Sequence, residues 1–212
     1  MKKFFKNPGK LAGVAILLIA VAAAFAYGYV WPQFGSSNQA LLWEDQQRNA
    51  LWMFQAAGAW FVIGVLDLVV TWGLYRHFAK QSQPLSRVSA LFRLTYTVIL
   101  FIAIVQLHNG LPALELENGS EDLQSALTSF ETYWSVGLIV FGLHLLSLGA
   151  LMRKPKWLRV LVYAAGASYV LVHFGLNFMP HHSNLFLLLE SILAAPMAIA
   201  ELSLAVWLIL KK

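Results

Sequence analysis

Three ionisable side chains stand inside long apolar stretches of this 212-residue sequence: Asp67, Arg93 and Glu201. Two carboxylates and one guanidinium leave one uncompensated negative charge. Burial disfavours such a charge. Either one carboxylic acid keeps its proton, or a cation or donor-bearing ligand completes the set. Proton relays and coupling-ion sites inside membranes are built from such groups. The same residues also suit a purely structural role. Polar contacts between membrane helices contribute about 0.6–2 kcal/mol each and can hold helices in register. Hydroxyls extend the polar stripe. Thr71 lies one turn from Asp67, Ser89 and Thr97 flank Arg93 at i−4 and i+4, and Ser191 and Ser203 stand on the last helix with Glu201.

Histidines form a second set. His144 stands in the fourth apolar stretch. His173 stands in the fifth, with Tyr169 and Asn177 on the same helical face. His144 and Arg93 join the charge cluster as candidates; Thr71, Thr97, His173, Tyr169 and Asn177 form a secondary polar set. His108, His173, His182 and Glu190 are the available metal ligands. No His-x-x-x-His or His-Glu-x-x-His spacing supports a metal there. A haem held by His144 and His173 is disfavoured, because their depths differ by about 9 Å on the helical rise. The ordinary reading is a histidine satisfied by a carbonyl or hydroxyl, such as Ser147 beside His144. The chain has no cysteine, which excludes disulfides, thiolate catalysis, iron–sulfur clusters and Cys-type zinc sites. It has no phosphate-cradling glycine loop and no Gly-x-Ser-x-Gly elbow. No catalytic residue is assigned and no cofactor is expected.

These residues must be positioned by membrane helices. Apolar residues make up 59% of the chain and charged residues 12%, a surface that water would not tolerate. About 20 apolar residues cross about 30 Å of hydrocarbon. Six stretches qualify: Leu11–Trp31, Leu51–Tyr75, Val88–Leu107, Tyr133–Met152, Leu158–Phe178 and Leu185–Leu210. The expected fold is all-α, a six-helix transmembrane bundle in one membrane domain. Pro196 should kink or tilt the last span. The first span resembles a signal peptide with Ala24-Phe25-Ala26 as a cleavage site, but its apolar character runs on to Trp31, as in a retained helix. Outside the spans, Ser37 or Asn38 should cap a helix from Gln39 towards Leu51. Ser120 should start another that leads into Tyr133. Asn118-Gly119-Ser120 matches a glycosylation acceptor without further support.

Orientation follows from basic residues. Lys2, Lys3, Lys6, Lys10, Arg76, Lys80, Arg87, Arg153, Lys154, Lys156, Arg159, Lys211 and Lys212 fall on one side, 13 of the 15 in the chain. The opposite loops hold Glu44, Asp45, Glu115, Glu117, Glu121, Asp122 and Glu131. Both ends are therefore expected in the cytoplasm. The net charge of +5 reflects these tracts and not a nucleic-acid surface. Measured from the basic side, Asp67, Arg93 and Glu201 lie about 13, 9 and 15 Å deep, so mutual pairing is expected.

Several motifs resemble a known family. Phe92-Arg93 opens the third span, and Val140-Phe141-Gly142-Leu143-His144-Leu145-Leu146 runs to Gly149 in the fourth. Pro155-Lys156-Trp157-Leu158 opens the fifth, and Glu201-Leu202-Ser203-Leu204-Ala205-Val206-Trp207-Leu208-Ile209 ends the sixth. Over most of its length the chain resembles the bacterial membrane family called domain of unknown function 4386. The resemblance implies a six-helix bacterial inner-membrane protein and brings no known activity. It also implies an acidic residue on the second helix, an arginine on the third, a histidine on the fourth and a glutamate on the last. Asp67, Arg93, His144 and Glu201 fill those places, with Asp67 where glutamate is more usual. The leading expectation is a non-enzymatic transporter subunit or sensor that binds an ion, proton or small ligand. A histidine-based metal or redox enzyme and an accessory subunit are the alternatives. The bilayer is one partner; a membrane protein or a second copy, meeting small residues such as Ala164-Ala165-Gly166-Ala167-Ser168, is another.

Overall fold

A computed structural model describes residues 7–33, 46–115 and 120–211, with side chains in most of that range. Six long helices account for nearly all of it, and no strand occurs among the described residues. We number them α1 (Pro8–Ala23), α2 (Gln46–Phe78), α3 (Gln83–Asn109), α4 (Ser120–Leu151), α5 (Lys156–Phe178) and α6 (Ser183–Leu210). α1 continues as a π-helix over Ala24–Val30. Nothing in the local sequence explains that change of winding.

Local signals account for most boundaries. Asn7 caps α1, its side chain accepting from the backbone N–H of Gly9 and Lys10 at 3.1 and 3.3 Å. α3 starts at Gln83, five residues before the expected span, because Pro84 fits a first turn whose N–H groups are unbonded anyway. The helix expected from Ser120 forms and fuses with the fourth span into one helix. Helical residues also precede Leu51 from Gln46. Ser37, Asn38 and Asn118 lie outside the described residues. α6 runs helically through Pro196, which removes one N–H from its ladder.

The helices close into a ring. Each packs on its chain neighbours, and α6 returns onto α1. Close approaches use small residues. A Cβ at Gly142 would stand 2.7 Å from the carbonyl oxygen of Gly166, so these two glycines let α4 and α5 meet backbone to backbone. A Cβ at Gly13 would meet the Ala205 carbonyl at 2.6 Å, which draws α1 onto α6. The small-residue run around Gly166 is thus used inside the bundle. The Gly9 position abuts His77, at the far end of α2. The end of α6, where Trp207 meets His77, therefore lies beside the start of α1 at one end of the ring.

The outer surface is apolar. Leu91, Leu94, Val98, Ile102 and Val105 are exposed along α3, and Leu188, Ile192, Ile199, Leu202 and Val206 along α6. Water would not tolerate these stripes, whereas lipid would. Six helical segments of 23 to 31 residues are long and apolar enough to cross a membrane. The shortest would extend about 34 Å, more than the hydrocarbon thickness of about 30 Å.

Candidate functional site

Ring order decides which polar residues meet. Asp67 on α2, Arg93 on α3 and His144 on α4 occupy consecutive helices, and all three are buried. Arg93 donates from Nη2 to Asp67 Oδ1. Its Nη1 lies 3.3 Å from His144 Nε2. An arginine nitrogen only donates, so Nε2 accepts and carries no proton. His144 Nδ1 then holds the ring proton, 2.9 Å from the carbonyl oxygen of Ser89 and 3.0 Å from its hydroxyl. The tautomer is thus fixed from both sides. Arg93 also lies over the Phe141 ring, 5.1 Å from its centroid. Its Nε is buried with no hydrogen-bond partner among the described residues.

Hydroxyls complete the backbone accounting. Thr71 donates to the Asp67 carbonyl at 2.7 Å and Thr97 to the Arg93 carbonyl at 2.9 Å. Ser147 donates to the His144 carbonyl at 2.7 Å. Ser147 does not satisfy the imidazole, as the ordinary reading supposes; Ser89 and Arg93 do. The crevice beside His144, between Thr71, Ser86 and Leu148, is too narrow for a water molecule. Asp67, Arg93 and His144 form a closed knot that ties α2, α3 and α4.

Glu201 does not pair with Arg93, contrary to the expected mutual cluster. The guanidinium is already engaged by Asp67, His144 and Phe141. Glu201 instead accepts the Tyr169 hydroxyl at 2.8 Å. No ion pair reaches it among the described residues. It stays within electrostatic reach of Arg93 and Asp67. Phe141 sits between the two groups: its ring meets Tyr169 edge-on at 5.2 Å while its face receives Arg93. Glu201 and Tyr169 lie on the core-facing stripes of α6 and α5, among buried Ala200, Leu204, Ala165 and Val172. Even so, both keep partial accessibility, unlike Asp67 and Arg93.

The remaining histidines serve elsewhere. His173 Nδ1 lies 3.0 Å from Ser135 Oγ, which accepts from Asn177 at 2.8 Å. Tyr169 stacks on His173 at 6.0 Å. His108 and His182 are exposed near the other end of the ring, and Glu190 is half-buried. His108, His173, His182 and Glu190 do not converge; no group of three such ligands does among the described residues. Helical spacing brings His173 to one face with Asn177, but nothing in it places His108 on α3 beside them.

Sequence reasoning missed Ser135, Tyr96 and Phe141. Two of them had a signal available. Phe141 stands three residues before His144 and Tyr96 three after Arg93, so each shares a helical face with a charged or polar centre.

A ring of six apolar helices around a buried ion pair defines a multi-pass membrane protein. The chain matches the family described as Domain of unknown function (DUF4386) over residues 11–211 and belongs to it. An uncharacterized protein from the archaeon Archaeoglobus fulgidus is 31% identical over 115 residues, 52% of this chain and 60% of that relative. No solved structure matches.

Proposed function

We propose that this membrane protein takes up a proton or small cation at Glu201, with Tyr169 as its hydrogen-bond partner, in a transport or sensing role. One observation supports this reading most directly. Glu201 is a carboxyl within the bundle whose only nearby guanidinium among the described residues is bound to a different carboxylate. A lone carboxylate in an apolar interior is costly, and a proton or cation removes that cost. The Asp67–Arg93–His144 knot serves as the fixed frame and supplies the local field. Tyr169 from α5 contacts Glu201, and Arg93 and Tyr96 from α3 and Asp67 from α2 lie within its electrostatic reach. In this proposal both chain ends lie in the cytoplasm, and the membrane is the bacterial cytoplasmic membrane, in line with the basic tracts and the family resemblance.

The test is the melting temperature of purified protein over a range of pH and of sodium and potassium concentrations. Wild type should respond to at least one of these variables. Glu201→Gln, which keeps the acceptor for Tyr169, should lose that response. Identical responses in the two proteins would remove Glu201 as the site.

A further inference from the structure

The basic end of the ring carries a groove that the bundle itself leaves open. It lies between the start of α5 and the end of α6, has a volume of about 520 Å³, and is lined by Trp157, Leu202, Ser203, Val206, Trp207, Leu210 and Lys211. That size falls in the range of small-molecule sites, roughly 300–1,000 Å³. The lining is apolar along its length and cationic only at its mouth. Trp157, Val206 and Leu210 are 56%, 46% and 72% exposed, so none of the described helices covers them. From Lys211 inward to Leu202 the groove follows about 13 Å of helix, a distance an acyl chain can trace.

Charge at the mouth selects the occupant. Lys211 Nζ sits over the Trp207 ring, 4.3 Å from its centroid. Lys211 and Lys80 both act electrostatically on His77, which itself meets Trp207 edge-on at 6.0 Å. Exposed Lys156 is the chain neighbour of Trp157, and exposed Arg159 follows one turn later. The segments at this end, 76–87, 152–160 and 207–212, contain no aspartate or glutamate. Among the described residues no carboxylate pairs with these cations. Two tryptophans flank the mouth, where indole rings favour the boundary between hydrocarbon and headgroups. We infer that this groove binds one anionic phospholipid, its acyl chain along Val206 and Leu202 and its phosphate at Lys211. A zwitterionic lipid fills the same groove but leaves the cations uncompensated. The inference does not depend on Glu201.

The experiment is native mass spectrometry of the full chain released from an equal mixture of phosphatidylglycerol and phosphatidylcholine with matched chains. Wild type should retain phosphatidylglycerol preferentially. Lys211→Gln should lower that preference about fivefold, the effect of one surface cation on an anionic lipid. Val206→Trp fills the groove and should remove retained lipid of both kinds. Val160→Trp, at an exposed position of α5 outside the groove, should change neither. Glu201→Gln should leave retention intact, which separates this site from the carboxyl site. Equal retention of the two lipids, or an unchanged preference in Lys211→Gln, would overturn the inference. So would a dimer that Val206→Trp dissociates, because the occupant would then be a second copy.

Discussion

Arg93 has two carboxylates of opposite fate within reach, and its choice sets the chemistry. It binds Asp67 and leaves Glu201 to a tyrosine. Removing one partner of a buried pair leaves an uncompensated charge and costs about 3–5 kcal/mol. Arg93→Gln should therefore melt far below wild type. Replacing both partners with apolar residues, Asp67→Leu with Arg93→Met, should recover most of that loss, as heating followed by size-exclusion chromatography can measure. If the double variant is no more stable than the single one, the pair is not the frame described above. The residue types were legible in the sequence, since a charge inside an apolar run is conspicuous. The pairing was not. Depth along a helix put all three groups within reach of one another, and a long arginine side chain cannot discriminate on depth. What discriminates is lateral position. α3 packs between α2 and α4, while α6 packs between α5 and α1. Arg93 thus meets Asp67 and His144, and Glu201 meets Tyr169.

Between elements, packing rests on backbone contact at a few glycines. Gly166→Val places its Cβ 2.9 Å from the Gly142 carbonyl oxygen and 2.9 Å from the Leu146 nitrogen, neither of which can swing aside. The resulting overpacking should cost about 1–3 kcal/mol. A Cβ at Gly58, also within a helix, meets nothing within 4 Å. Gly58→Ala should therefore hold or raise stability, since alanine favours a helix by up to about 1 kcal/mol over glycine. Equal melting temperatures for the two variants would argue against the α4–α5 contact. All six helices could be read from apolar length, and Ser120 marked the start of one. Apolar length cannot report where a helix ends outside lipid, which is why α3 begins before the apolar stretch Val88–Leu107 and α4 before Tyr133–Met152. The π-wound end of α1 had no sequence signal at all.

Across the whole molecule, six crossings would put the start of α1 and the end of α6 on one side of the bilayer. The cysteine-free sequence makes this simple to check. A single cysteine at exposed Lys80 and, in a second variant, at exposed His181 should react with an impermeant maleimide from opposite sides of sealed vesicles. Labelling of both from the same side would refute the topology. Ring closure, by contrast, could not be read from the chain. Each span shows one apolar stripe too broad to name its neighbours, and only the return of α6 onto α1 separates the Asp67 side from the Glu201 side. That separation leaves Glu201 without an ion-pair partner among the described residues. Infrared difference spectroscopy of lipid-reconstituted protein observes that carboxyl directly. A protonated-carboxyl band should appear or shift with pH or cation in wild type and be absent in Glu201→Gln. A band that persists in Glu201→Gln, or a spectrum with no such band under any condition, would contradict the account.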